Sequence, residues 1–158
     1  VVGLAPIGLV RVVRLKFWLA GFATLVVTLG LILLSCSMLG LDLAHQVFFG
    51  ITITVMTFTL NGIAVGLGAL YPNFRESNPG KIVSGFGGTF CLVLSFLYIV
   101  GSVVLLALGS PWGWRPDAMD NFTPTRAATA WGAFVLISVL AGWLPLRLGL
   151  RKVAVTEL

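Results

Sequence analysis

Charged residues are scarce in this chain. The 10 Lys and Arg and 5 Asp and Glu are 9% of its 158 residues, where an ordinary soluble domain carries about a quarter. With 58% of residues hydrophobic, the chain has more apolar surface than a soluble fold of this length can cover, because small domains leave a large share of their surface in water. Lipid is therefore the solvent expected for most of the protein. There is one histidine, His45, and two cysteines, Cys36 and Cys91, both inside apolar runs. Those three side chains lack the spacing of a metal site. The thiols fall at different depths in the topology given below, which makes them small buried hydrophobes rather than a disulfide.

Further absences narrow the function. No ionisable side chain lies deep in an apolar run, so the buried carboxylate or histidine relay of a proton-coupled transporter is missing. Serine, histidine and acidic residues are scattered, which disfavours a hydrolytic triad. Gly80-Lys81 suggests a phosphate-binding loop, but that pattern needs a glycine at 75 and a serine or threonine at 82, and the chain has Arg75 and Ile82. The chain is thus not expected to be an enzyme, to hold a cofactor or to bind ATP itself. The net charge of +5 is spread over the ends of the apolar runs rather than gathered in one patch, which argues against nucleic acid as a partner. The chain begins Val1-Val2-Gly3, without an initiator Met or the basic region of a signal peptide, and is expected to be a fragment of a longer protein.

What is present is a set of long apolar runs. Residues 17–41, 47–70, 82–109 and 127–146 each reach the length of about 20 residues that a helix needs to cross a bilayer core. The fold class expected is all-α, a polytopic membrane protein with four transmembrane helices forming one domain over residues 1–158. Residues 1–16 carry Arg11, Arg14 and Lys16 and read equally as an interfacial amphipathic helix or as a basic flank anchoring the first span. Residues 110–126 form an external segment longer than most helix connections. Asn78-Pro79 and Thr123-Pro124 each resemble a helix cap followed by proline in the first turn. Arg147, Arg151 and Lys152 are expected to stop the last span, with Pro145 near its end.

Lysine and arginine set the orientation. Positions 11, 14, 16, 75, 81, 147, 151 and 152 share one side, and only Arg115 and Arg126 fall on the other. Eight against two places both termini and the central loop in the cytoplasm. Within the second run, Thr52, Thr54, Thr57 and Thr59 are tolerable in lipid because their hydroxyls can bond back to carbonyls on their own helix. The Asn61 amide needs a partner, most simply a neighbouring helix. Gly62 and Gly66 form a GxxxG pair, Gly68 follows, and Ser84 and Gly88 form a second small pair. With Gly85 and Gly87, these residues are expected to pack the second and third spans beside the charged tip between them.

The stretch Leu4-Ala5-Pro6-Ile7, followed by basic residues and a Lys16-Phe17 start to a span, resembles the segment between the second and third spans of ABC-2-type exporter permeases. Residues 66–74, Gly-Leu-Gly-Ala-Leu-Tyr-Pro-Asn-Phe, and residues 78–88, Asn-Pro-Gly-Lys-Ile-Val-Ser-Gly-Phe-Gly-Gly, are similar to a loop in ABC exporter permeases. The resemblance covers essentially the whole chain, as the C-terminal four spans of a larger permease. It implies a protein of the cell membrane, as in the bacterial inner membrane, embedded in the lipid bilayer. Its implied partners are a separate cytoplasmic ATPase subunit and the remaining permease spans or a second permease copy. The docking surface so implied draws on Pro6, Arg11, Arg14, Lys16, Tyr71, Pro72, Phe74, Arg75, Glu76 and Lys81. The alternative is a four-span scaffold or assembly subunit with no transport of its own.

The orientation is open to direct test. A cysteine introduced at Ser77 should react with an impermeant thiol reagent only from the cytoplasm, and one at Asp117 only from outside. The opposite pattern would invert the topology.

Overall fold

The computed structural model describes residues 8–71, 86–110 and 123–156. These form four helices: α1 (Leu9–Met38), α2 (Leu43–Leu70), α3 (Phe86–Gly109) and α4 (Pro124–Thr156). All four are long and apolar enough to cross a membrane. The described residues are all-helical apart from the turns at the helix ends.

The helices run past the apolar runs. α1 begins at Leu9, so Arg11, Arg14 and Lys16 belong to the same continuous helix as the first span rather than to a separate interfacial one. α4 continues to Thr156, about two and a half turns beyond Arg147, with Pro145 and the basic residues inside it. The reason is that charge ends the stretch that can sit in hydrocarbon, whereas a helix in water still makes its own backbone hydrogen bonds. At 1.5 Å per residue the 33 residues of α4 span about 50 Å, well over a hydrocarbon core of about 30 Å.

Local signals close the turn between α1 and α2. Gly40 takes a positive φ of 64°, a conformation that costs glycine little. The Gly40 N–H donates to the Ser37 carbonyl at 3.1 Å and the Leu41 N–H to the Cys36 carbonyl at 3.0 Å, a Schellman stop for α1. Asp42 then caps α2, its carboxylate accepting from the His45 backbone N–H at 3.3 Å. His45 and Gln46 thus lie in the first turn of α2. The start of α4 follows the proline signature, with Pro124 as first residue and the Thr123 carbonyl accepting from the Arg126 N–H at 3.0 Å. The Asn78-Pro79 signature, Ser84 and Gly85 lie outside the described residues.

α2 is the hub, packed against all three other helices, and its most extensive contact is with α4. The two run parallel: Phe48 stacks edge-on against Trp131, Thr59 meets Ser138 and Gly142, and Gly66 meets Pro145 and Gly149. A Cβ on Gly62 would lie 2.7 Å from the Gly142 carbonyl oxygen. One on Gly66 would be 2.5 Å from the Leu146 nitrogen, and one on Gly149 2.6 Å from the Gly66 oxygen. Backbone therefore touches backbone. The GxxxG pair of α2 packs on α4 rather than on α3, its neighbour in sequence, and a Cβ on Gly68 would meet nothing within 4 Å. Gly88 is half-buried in the first turn of α3. Against α3, the turn after α2 contributes Tyr71, whose Cβ blocks any side chain at Gly87.

The surface is apolar and the interior partly polar, the reverse of a soluble domain. Trp18, Phe22, Phe96, Leu97 and Leu136 are each more than half exposed, while Thr57, Thr59, Ser102 and Ser138 are buried. Lipid offers helices no hydrophobic gain on association, so close packing and hydrogen bonds hold the bundle together. Gly66→Ala should therefore cost about 1–3 kcal/mol by overpacking the α2–α4 seam, whereas Gly68→Ala should stay within about 0.5 kcal/mol. Thermal unfolding of the two variants in detergent makes the comparison.

Candidate functional site

Two places concentrate polar side chains: one end of the bundle and its middle. Helix directions set the first. α1 starts, α2 stops and α4 stops at the same end, so Arg11, Arg14, Lys16, Tyr71, Arg147, Arg151 and Lys152 all lie there. The Lys152 ammonium donates to the Leu70 carbonyl at 2.6 Å and sits 5.8 Å from the Tyr71 ring centroid. A cation on the last carbonyls of a helix satisfies acceptors that the helix leaves open and opposes the negative end of its dipole. Arg147 lies 4.6 Å over the ring of Trp143, so its charge is held against an exposed aromatic at the edge of the apolar stretch. Among the described residues the acidic side chain is Asp42, at the opposite end. Arg11, Arg14, Lys16, Arg147 and Arg151 accordingly face no acidic partner among them.

Of the residues implied for ATPase docking, Arg11, Arg14, Lys16 and Tyr71 are described and share this end. Pro6, Pro72, Phe74, Arg75, Glu76 and Lys81 lie outside the described residues. Arg147, Arg151 and Lys152 join the same end although the docking set did not include them. Their grouping with Arg11 and Arg14 in the charge count was the available signal.

At the far end, the Asp42 carboxylate bonds both the backbone N–H and the ring Nδ1 of His45. These bonds, the ring's first, hold the Asp42 carboxyl below its ordinary value of 3.8. A depressed carboxyl contributes above its unfolded value and loses the contribution as pH falls through the folded one, so the cap is intact at neutral pH. Between α1 and α2 near this end is an open groove of about 430 Å³, lined by Leu29, Leu33, Leu43, Gln46, Ile51 and Thr54 among others. Thr54 donates to the Gly50 carbonyl and the Gln46 amide to the Leu41 carbonyl, and the rest of the lining is mainly hydrocarbon.

The middle is more distinctive. The hydroxyls of Thr52, Thr54, Thr57 and Thr59 donate to carbonyls four residues back at 2.7–2.9 Å, which makes them affordable in lipid. Asn61 donates across to the Phe17 carbonyl at 2.6 Å, with Phe17, Trp18 and Phe58 around it, and so ties α1 to α2. Deeper in, the Tyr98 hydroxyl of α3 lies 2.8 Å from the Ser138 hydroxyl of α4, which also bonds the Phe134 carbonyl at 2.7 Å. Thr59 of α2 reaches the Ser138 carbonyl at 3.4 Å. One turn beyond Tyr98, the Ser102 hydroxyl is buried with no hydrogen-bond partner. Tyr98, Ser138 and Thr59 stand near the midpoints of their helices, so this hydroxyl cluster is at mid-height in the bundle. Sequence reading passed over Tyr98, Ser102 and Ser138, since a tyrosine and two serines are ordinary in an apolar run. A weak signal was their four-residue spacing, Tyr98 to Ser102 and Phe134 to Ser138, which puts each pair on one helical face.

A family model described as "Putative ATP-binding cassette" matches residues 1–158. No curated protein and no solved structure matches the chain.

The Lys152 contact leads to a local prediction. Lys152→Met should speed amide exchange at Tyr71, whose N–H closes the last turn of α2 on the Leu67 carbonyl. About two- to fivefold is the scale of losing a charge–dipole contact of 0.5–1 kcal/mol. Lys152→Arg should restore most of the protection. Exchange measured by mass spectrometry on the two variants decides it.

Proposed function

Since the chain belongs to this ATP-binding-cassette family, whose model spans it from end to end, we propose that it is the membrane-spanning permease portion of an ABC-2-type exporter, driven by a separate ATPase subunit. The observation that carries this reading is the basic end. There the start of α1 and the ends of α2 and α4 converge, Lys152 joins α4 to α2, and five cations face no acidic side chain among the described residues. Such a surface suits a soluble partner that presents acidic groups, with electrostatic complementarity setting its approach and register. The orientation follows from the same charges: this end, both termini and the loop after Tyr71 face the cytoplasm. The membrane is the cell membrane, the inner one in a bacterium.

ATP hydrolysis belongs to the partner in this reading. The described residues are four long apolar helices, and the Gly80-Lys81 pair lacks the glycine and the hydroxyl of a phosphate-binding loop. The chain's role is then mechanical. Closure of the ATPase on its nucleotide pushes on the cytoplasmic ends of α1, α2 and α4. The α2–α4 seam has backbone against backbone and little slack, so the pair moves as one body. α1 and α3, which bury less of their surface, are the elements that shift against it.

The test is coupling. In the full assembly, Arg75→Ala, Glu76→Ala and Lys81→Ala together should leave membrane insertion intact and reduce substrate-stimulated ATP hydrolysis by on the order of fivefold or more, the scale of about 1 kcal/mol of interface energy. Stimulated hydrolysis at the unaltered rate would remove the docking role. An assembly in which no ATPase associates with the chain would point instead to a four-span scaffold.

A further inference from the structure

The basic end holds two kinds of cation, separated by the direction of the helix that bears them. In an α-helix every Cα–Cβ bond tilts toward the helix N-terminus. α1 starts at this end, so Arg11, Arg14 and Lys16 tilt outward, away from the apolar stretch. α4 stops at it, so Arg147 and Arg151 tilt back toward that stretch. The Arg147 guanidinium follows the tilt, lying 4.6 Å over the ring of Trp143, one turn nearer the apolar part. The cations of α1 suit a soluble partner, whereas those of α4 are turned to the membrane surface.

Position around the helix agrees. Gly142, Pro145 and Gly149 lie against α2. At about 100° per residue, Trp143, Arg147 and Arg151 fall on the opposite side of α4, in line with Leu136 and Leu140. Leu136, Leu140 and Trp143 are each more than half exposed, and both arginines are exposed. The outward stripe thus runs from hydrocarbon, through an interfacial tryptophan, to two cations. With 1.5 Å of rise per residue, Arg147 lies about 6 Å beyond Trp143, within a headgroup layer about 5–8 Å deep. Arg151 is one turn further out and reaches back along its flexible stem. The two guanidiniums are i,i+4 neighbours that repel each other, with no acidic side chain beside them among the described residues. The Trp143 ring takes one face of Arg147 and leaves its in-plane N–H groups open for a forked bond to phosphate.

We infer that Trp143, Arg147 and Arg151 form a binding site for one anionic phospholipid, its phosphate between the two guanidiniums and its acyl chains along Leu136 and Leu140. A zwitterionic headgroup fits less well, because its own ammonium offsets the phosphate charge and meets a second cation. The site needs the helices to cross a bilayer but does not rest on the ATPase. With the proposed orientation the lipid belongs to the cytoplasmic leaflet, and the cations of α1 remain for the soluble partner.

Lipid titration followed by native mass spectrometry tests it. The full-length protein in detergent, without the ATPase, is titrated with dioleoylphosphatidylglycerol and separately with dioleoylphosphatidylcholine. The unaltered protein should bind the anionic lipid on the order of tenfold more tightly, the scale of two cations acting on an anionic headgroup. Arg147→Gln with Arg151→Gln should bring that ratio to about threefold or less, whereas Arg11→Gln with Arg14→Gln should leave it near the unaltered value. Each variant is judged by the ratio of two lipids, so general damage to the bundle, which weakens both, does not mimic loss of the site. Inorganic phosphate in large excess should not displace the lipid, since the acyl chains also bind. Displacement by phosphate would show a free-anion site and overturn the lipid assignment. An equal fall in the Arg11 and Arg14 variant would show attraction by net charge without a site, and would also overturn it. A ratio near one in the unaltered protein, or one that survives loss of Arg147 and Arg151, would sink the proposal and return both arginines to the soluble partner. Loss of lipid preference here and loss of coupling in the loop variant are separate results.

Discussion

The bundle depends on one contact, the line where α2 and α4 meet backbone to backbone. In lipid a leucine on a helix surface gains nothing by turning inward, so association needs close approach or hydrogen bonds. Gly62 and Gly66 on α2 face Gly142, Pro145 and Gly149 on α4, and every one of these positions lacks a side chain that would hold the axes apart or has one folded back on its own backbone. Pro145 has no N–H to give the carbonyl four residues before it, which would weaken an isolated helix. Against Gly66 it has a neighbour close enough to support it, and α4 continues through it to Thr156.

The other two helices attach to this pair by different means. α1 lies along α2 with most of its own surface outward, fastened by Asn61 to the Phe17 carbonyl and by the Thr28 and Thr57 hydroxyls 3.3 Å apart. α3 joins through Tyr98 and Ser138 and through the close pass of Gly109 by Ala130. Such polar links are worth about 0.6 kcal/mol on average within a membrane, with an upper range near 1.7. A scaffold of one rigid pair and two lightly held helices is mechanically suited to a machine driven from one end. The cations gather at the end where the rigid pair stops, with Lys152 fastening α4 to the last carbonyl of α2.

Polar chemistry is distributed to match. The bundle's ends carry charge, its flanks carry hydrocarbon, and its centre carries neutral hydroxyls. Most of those hydroxyls are consumed by the helix that bears them. Ser102 is the exception among the buried ones.

The amino-acid sequence by itself determined the solvent and the presence, among the described residues, of four helices long and apolar enough to cross a bilayer, because run length and charge scarcity act through transfer to lipid and need no partner. It also determined local chemistry: the threonines bonding their own backbone and Asn61 requiring a neighbour. What only the tertiary structure decided is which faces meet. In a soluble protein an apolar stripe against a polar one reveals the inward side, but here both sides are apolar, and periodicity is silent. Gly62 and Gly66 were therefore expected to pack on the next helix along the chain, whereas they pack on α4, which runs parallel to α2 and supplies its own glycines in register. The same silence hid Tyr98 and Ser138, since a hydrogen bond between residues 40 apart requires two helices to be placed first. The helices run past the apolar runs for a related reason: lipid sets the length of the span, while backbone hydrogen bonding sets the length of the helix.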